Sequence, residues 1–215
     1  MDIIGFISKN YMTIINKTLE HISLTGISVL LACVIGVPIG FSIVNHKKIA
    51  NIVINIANVI QTIPSLALFA FCMPYFGIGR NPAIFALFLY ALLPIIKNTL
   101  IGIRNVNPAI IEAARGMGMS KTQIMLKVEV PMSISVIMAG IRIATVTCIG
   151  IATIATLIGA GGLGDLIYQG IGMLNYPMIL TGAIASASLA LLADFILGIC
   201  EKQLTSKGIV RQEKA

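Results

Sequence analysis

Charge is the first thing this sequence is short of. Charged residues make up 11% of its 215 positions, whereas a soluble domain carries about 25%. Histidine is nearly absent, and its two copies, His21 and His46, flank opposite ends of one apolar run. They cannot form a pair. Asp165 and Asp194 are too separated in depth for a carboxylate dyad, so no catalytic constellation is expected and an intramembrane enzyme is disfavoured. No GxxxxGK stretch followed by Ser or Thr occurs, which excludes ATP binding of the usual phosphate-loop kind. The four cysteines, Cys33, Cys72, Cys148 and Cys200, stand isolated in or beside apolar runs without a CxxC pair. They read as small core hydrophobes rather than metal ligands or disulfide partners.

What is abundant is apolar surface: 57% of the residues are hydrophobic and the mean hydropathy is +0.97. Charge-free runs cover 22–45, 49–79, 81–96, 143–164 and 166–193. A helix crossing the hydrocarbon core of about 30 Å needs about 20 such residues. The pattern predicts an all-α integral membrane protein with five transmembrane spans, at 22–44, 52–76, 83–103, 133–158 and 177–199. Pro64 and Pro74 fall in the second span, which is expected to be kinked or broken. Backbone groups freed there must be met by neighbouring helices or by water in a cavity.

Three stretches follow from this reading: an N-terminal segment 1–21, a transmembrane domain 22–200 and a basic tail 201–215. The first is no signal peptide, because the apolar run after it is too long for an h-region. Ile4, Ile7, Tyr11, Ile14, Ile15 and Ile22 recur at helical spacing there, opposite Lys9, Asn10, Asn16, Lys17 and Glu20. This predicts an amphipathic helix lying on the membrane surface.

The net charge of +7 points to membrane orientation rather than to nucleic acid, since Lys and Arg gather in the gaps between apolar runs. Lys47, Lys48, Lys97, Arg104, Arg115, Lys121, Lys127, Lys202, Lys207, Arg211 and Lys214 fall on one side. Only Lys9, Lys17 and Arg80 fall on the other. The basic side is cytoplasmic by the positive-inside rule, so the N-terminus is expected outside and the C-terminus inside. Two ionisable residues lie within spans, Arg142 in the fourth and Asp194 in the fifth. Their depths differ by only about 6 Å at 1.5 Å per residue. They either pair or snorkel separately.

The loop 104–132 between the third and fourth spans carries the densest local signals. Asn107-Pro108 is a helix start, with Asn as cap and Pro at the first helical position. Glu112 lies near that start, where the helix dipole favours a carboxylate. Gly116 and Gly118 can end the helix. Ser120-Lys121-Thr122-Gln123 reads as a capping box for a second helix, which Pro131 is expected to stop. By these signals alone the pair could be an ordinary amphipathic connection; a DNA-binding helix-turn-helix held between two spans could hardly reach a major groove.

At these residues the chain resembles the permeases of binding-protein-dependent ABC importers. Their EAA signature reads EAA, three residues, Gly, nine residues, Ile, one residue, Leu-Pro. Here it is Glu112-Ala113-Ala114, Gly118, Val128 and Val130-Pro131, with Val in place of the Ile and the Leu. The resemblance implies that Glu112, Ala113, Ala114, Gly118 and Pro131 belong to a coupling loop that docks on a separate ATPase subunit. ATP and Mg are then bound by that partner, and this chain needs no cofactor or metal of its own.

The stretches QTIPSLALFAF (61–71), YALLPIIKNTLIGI (90–103), EAARGMGMS (112–120) and TLIGAGGLGDLIYQGI (156–171) look like the osmoprotectant branch of this family. That branch, OpuC/ProW-like and of MetI-like transmembrane fold, carries glycine betaine, carnitine and choline. Methionine permeases share the GGLG segment, so an amino acid or another small solute is the alternative. An ion-coupled secondary transporter is a further alternative, although no inverted repeat is visible. The resemblance implies a bacterial cytoplasmic membrane, a second permease subunit and an extracytoplasmic binding protein. It also places Gly161, Gly162, Gly164 and Asp165 near an outer gate, where the glycines read as a flexible turn. The absence of tryptophan argues against a high-affinity aromatic cage in this chain, which leaves selectivity to the binding protein.

Overall fold

A computed structural model describes residues 2–205, and the regular elements among them are all helical. In chain order they are α1 (Ile3–Ile43), α2 (Lys47–Thr62), α3 (Ser65–Phe76), α4 (Arg80–Arg104), α5 (Pro108–Gly116), α6 (Lys121–Ile124), α7 (Val130–Ala152), α8 (Gly164–Gly172) and α9 (Tyr176–Leu204). Helices α1, α4 and α9, and the continuous stretch Lys121–Ala152, are each long and apolar enough to cross a membrane. The pair α2–α3 makes a fifth span if its two arms, bent by 101°, are counted together. Lys207, Arg211 and Lys214 of the expected basic tail lie outside the described residues.

Helix α1 differs from its expected division at residue 21. It runs without interruption through that point, and its only non-helical backbone is at Asn10. There the side-chain amide donates to the Phe6 carbonyl at 2.9 Å, a local bond that competes with the helical ladder. At 1.5 Å per residue α1 is about 60 Å long, twice the hydrocarbon thickness.

Small residues set the packing. Ser28, Ala32, Gly36 and Gly40 recur every fourth position of α1, are all buried, and let its backbone lie close against α4. A Cβ on Gly40 would stand 2.6 Å from Thr99. The next contact, α4 on α7, is closed in the same way by Gly140, whose Cβ would meet Asn98 at 2.6 Å and the Pro94 carbonyl at 2.7 Å. Because lipid is as apolar as leucine, such close approach, not hydrophobic burial, holds spans together. Helix α4 is thereby central, with Phe69, Leu87, Ile95, Ala144 and Cys148 in the surrounding core.

The broken span is tied to α4 by Gln61 and Tyr90. Pro64 opens the helix between α2 and α3, while Pro74 is carried inside α3. Pro94 of α4 lacks the N–H that would bond the Tyr90 carbonyl four residues back. Gln61 Nε2 donates to that carbonyl instead, at 2.9 Å. Tyr90 returns the bond by donating its hydroxyl to the Ile63 carbonyl at the break. The Tyr90 and Ile63 carbonyls thus each find a partner in the other helix, as a bilayer demands.

Candidate coupling, gating and intramembrane sites

The loop after α4 is built from nearby residues. Asn107 Oδ1 accepts from the Ala109 N–H at 3.0 Å, and Pro108 begins α5. The helix ends where Met119 N–H reaches the Ala114 carbonyl at 3.2 Å and Gly118 N–H reaches that of Arg115 at 2.9 Å. This crossed pair requires a left-handed residue, supplied by Gly118 at φ 77°. Gly116 remains in the helix, so only one of the two expected glycines terminates it. Ser120 and Gln123 then cap α6 reciprocally, at 3.3 Å and 2.8 Å.

Pro131 does not stop that helix. One wide turn, Met125–Glu129, joins α6 to α7, and the Val130 N–H bonds the Met125 carbonyl five residues back. The extra residue in the turn accommodates a proline that cannot donate, and the helix continues to Ala152. Glu112, Ala113 and Gly118 are exposed, as is Met117 at 75%. Ala114 is 2% exposed and faces the chain itself. Of the residues ascribed to docking, it is an anchor rather than a contact surface.

The other end of the bundle holds its loop from a distance. After α7 a short 3₁₀ turn, Ile154–Ile158, leads into Gly159, Gly161 and Gly162, all with positive φ. Glu20 Oε2 accepts from the Gly162 N–H at 2.9 Å, and His21 Nδ1 accepts from the Leu163 N–H at 3.3 Å. His21 Nε2 lies 3.0 Å from the Ile149 carbonyl. With Nδ1 accepting, the ring is neutral and its hydrogen sits on Nε2, donated to Ile149. Lys17 Nζ bridges Glu20 at 2.8 Å and Asp165 at 2.7 Å, and the Thr156 hydroxyl donates to Asp165.

There is no slack in this arrangement. A Cβ on Gly161 would stand 2.6 Å from Glu20 Oε2, and one on Gly162 would stand 2.9 Å from His21 Nδ1. One on Gly164 would collide with the Thr153 carbonyl. Gly162 and Gly164 are buried, so the segment is a clamped connection and not the flexible turn its glycines imply. The glycines serve close approach.

Between α7 and α9 lies a charged cluster. Arg142 donates through Nε and one terminal nitrogen to the two oxygens of Asp194, each at 2.9 Å. Its other terminal nitrogen donates to Glu201 Oε2 at 2.9 Å, and Ser135 holds the second Glu201 oxygen at 2.8 Å. The side chains of Arg142 and Asp194 keep 32% and 42% of their surface exposed.

Residues 28–206 match the family of binding-protein-dependent transport system inner membrane components. The chain belongs to that family. Relatives extend over nearly its whole length. It is 47% identical to the carnitine transport permease protein OpuCB of Listeria monocytogenes, over 96% of this chain and 95% of that one. It is 43% identical to the choline transport system permease protein OpuBB of Bacillus subtilis, over 97% and 96%. The osmoprotectant import permease protein OsmW of Salmonella typhimurium is 42% identical, over 97% and 100%. Among solved structures, an inward-facing form of the MetNI methionine ABC transporter matches with a TM-score of 0.81 and 25% identity, covering 90% of this chain and 96% of that one.

Permeases of this kind are non-catalytic membrane subunits, and this permease is an all-helical, multi-pass membrane protein of MetI-like fold. Three of its structural residues escaped sequence reasoning. Glu20 and His21 pass for the polar rim of an amphipathic helix, and Glu201 for the start of a basic tail. A carboxylate and an imidazole adjoining a long apolar run were the available signal. Nothing local pointed to partners 59 to 142 positions away.

Proposed function

We propose that this permease is one of two membrane subunits of an ATP-driven, binding-protein-dependent importer of quaternary-ammonium osmoprotectants such as glycine betaine, carnitine or choline. The observation that carries this reading is the 42–47% identity, over almost the full length, to permeases named for carnitine, choline and osmoprotectant transport. A loaded binding protein docks on the outer face, beside the clamped segment of Gly161, Gly162, Gly164 and Asp165. ATP, with Mg, closes two ATPase subunits on the cytoplasmic face, and the motion enters through α5 at Glu112 and Ala113. The membrane cavity turns outward, accepts the solute, and releases it inward after hydrolysis. The one-sided distribution of basic residues supports this orientation, with the N-terminus outside and the C-terminus in the cytoplasm. Five spans cannot readily enclose a pathway, which supports a second membrane subunit. The exposed, capped α5 supports the coupling role.

Uptake by proteoliposomes holding the assembled transporter tests the reading. Labelled choline, carnitine and glycine betaine should enter only with ATP and loaded binding protein. Entry driven by an ion gradient without ATP would overturn it. A second reading, an amino-acid permease, is favoured by the fold shared with the methionine transporter. Competition of uptake by methionine but not by choline would select it.

A further inference from the structure

Arg142 and Asp194 each sit about 15 Å in from the nearer end of their helix, at 1.5 Å per residue. Charged side chains at such depth face a bundle interior or a water-filled cavity, not hydrocarbon. Here they are not interior, since 32% of the Arg142 side chain and 42% of that of Asp194 remain exposed. They open onto two adjoining cavities between α7 and α9, of about 450 Å³ and about 530 Å³, both lined by Arg142, Leu191 and Asp194. Each falls in the size range of small-molecule sites, roughly 300–1,000 Å³. Thr147 lines the first, Glu201 the second, and Lys202 stands beside Glu201. Arg142 balances Asp194 in the first cavity, and Arg142 and Lys202 balance Asp194 and Glu201 in the second, so each offers both signs of charge with no net excess. Three of the five guanidinium N–H groups are engaged, which leaves two for a further acceptor.

We propose that the α7–α9 groove is a solute-binding stretch of the transport path, taking the cationic quaternary ammonium against Asp194 and Glu201 and the carboxylate of a zwitterion on Arg142. The proposal rests on the substrate class given above and locates that solute within this chain. The groove is wet in the assembled transporter and suits a solute that carries both charges.

The test places a thiol on the groove wall. In the complete transporter with its four native cysteines replaced, Thr147→Cys is treated with a trimethylammonium-ethyl methanethiosulfonate and, separately, with its anionic sulfonate analogue. Rates are divided by those for free cysteine. Both reagents should react, and choline at about ten times its dissociation constant should slow the cationic one roughly tenfold by mass action. Asp194→Asn and Glu201→Gln, which keep side-chain shape, should each weaken that protection while the ATPase still co-purifies. A thiol inert to both reagents, while a cysteine at exposed Met117 reacts, would overturn the proposal by placing the groove against lipid. So would labelling by the cationic reagent that choline leaves unchanged. Uptake of choline, carnitine and glycine betaine by the same vesicles is measured beforehand. Failure to take up all three contradicts the substrate class, whereas labelling of the thiol reports on the groove alone.

Discussion

Residues 107–123 at one end of the bundle are bonded to neighbours two to five positions away, whereas Gly162 and Leu163 at the other end are bonded to side chains 142 positions away. The first loop carries its own caps and its own terminator. It touches the spans through a few buried residues such as Val106, Ala114 and Ile124. Such a unit can be pushed as a body, because displacing it leaves its internal bonds intact. The second loop has internal bonds as well, such as Gly159 N–H to Thr156 and Asp165 N–H to Gly162, but at Gly162 and Leu163 it is also tied to α1. It moves only if Lys17, Glu20 and His21 move with it or let go. One end can shift as a body, and the other only together with α1.

Substitutions separate the two ends, beginning with the largest effect. Gly162→Ala adds a left-handed backbone penalty to a collision with His21, and should cost about 3 kcal/mol. The melting temperature of the purified permease in detergent would report it. His21→Ala should come next at about 2 kcal/mol, since it strips partners from the Leu163 N–H and the Ile149 carbonyl together. Gly118→Ala has open space around its Cβ and should cost only the conformational penalty, about 1 kcal/mol. If Gly118→Ala proved as damaging as Gly162→Ala, the contrast between a self-supported and a clamped loop would collapse. The smallest effect belongs to Ser120→Ala, about 1 kcal/mol or less. It should be confined to faster amide hydrogen exchange at residues 121–124.

The same contrast explains what the sequence could reveal. Asn107-Pro108, Gly118 and the Ser120–Gln123 box are legible because each signal and its target lie within a few residues. The spans are legible because lipid imposes a length of about 20 apolar residues on any helix that crosses it. Pro64 announces a break, but the answering pair Gln61 and Tyr90 becomes visible only when α2 and α4 are side by side. Pro131 misled for a related reason: a proline ends a helix unless the turn before it widens, and the spacing of Met125–Glu129 carries no mark of that. The glycines of 159–164 misled most. Their sequence suits a flexible turn equally well, and only the positions of Glu20 and His21 show that they clear space for side chains of α1.

The coupling role proposed for α5 requires a surface that the permease itself does not need for folding. Two adjacent alanines bear on it, because Ala113 is exposed while Ala114 is 2% exposed. Ala114→Leu should overfill its pocket and destabilise the permease by about 1–3 kcal/mol. Ala113→Leu should leave the melting temperature unchanged and yet spoil the fit to the partner, since contact surfaces pack as tightly as interiors. The decisive measurement is ATP hydrolysis by the assembled transporter, stimulated by the solute-loaded binding protein, with Ala113→Leu in place. The account requires that stimulation be lost while the permease remains folded. Normal stimulation with normal co-purification of the ATPase would contradict it.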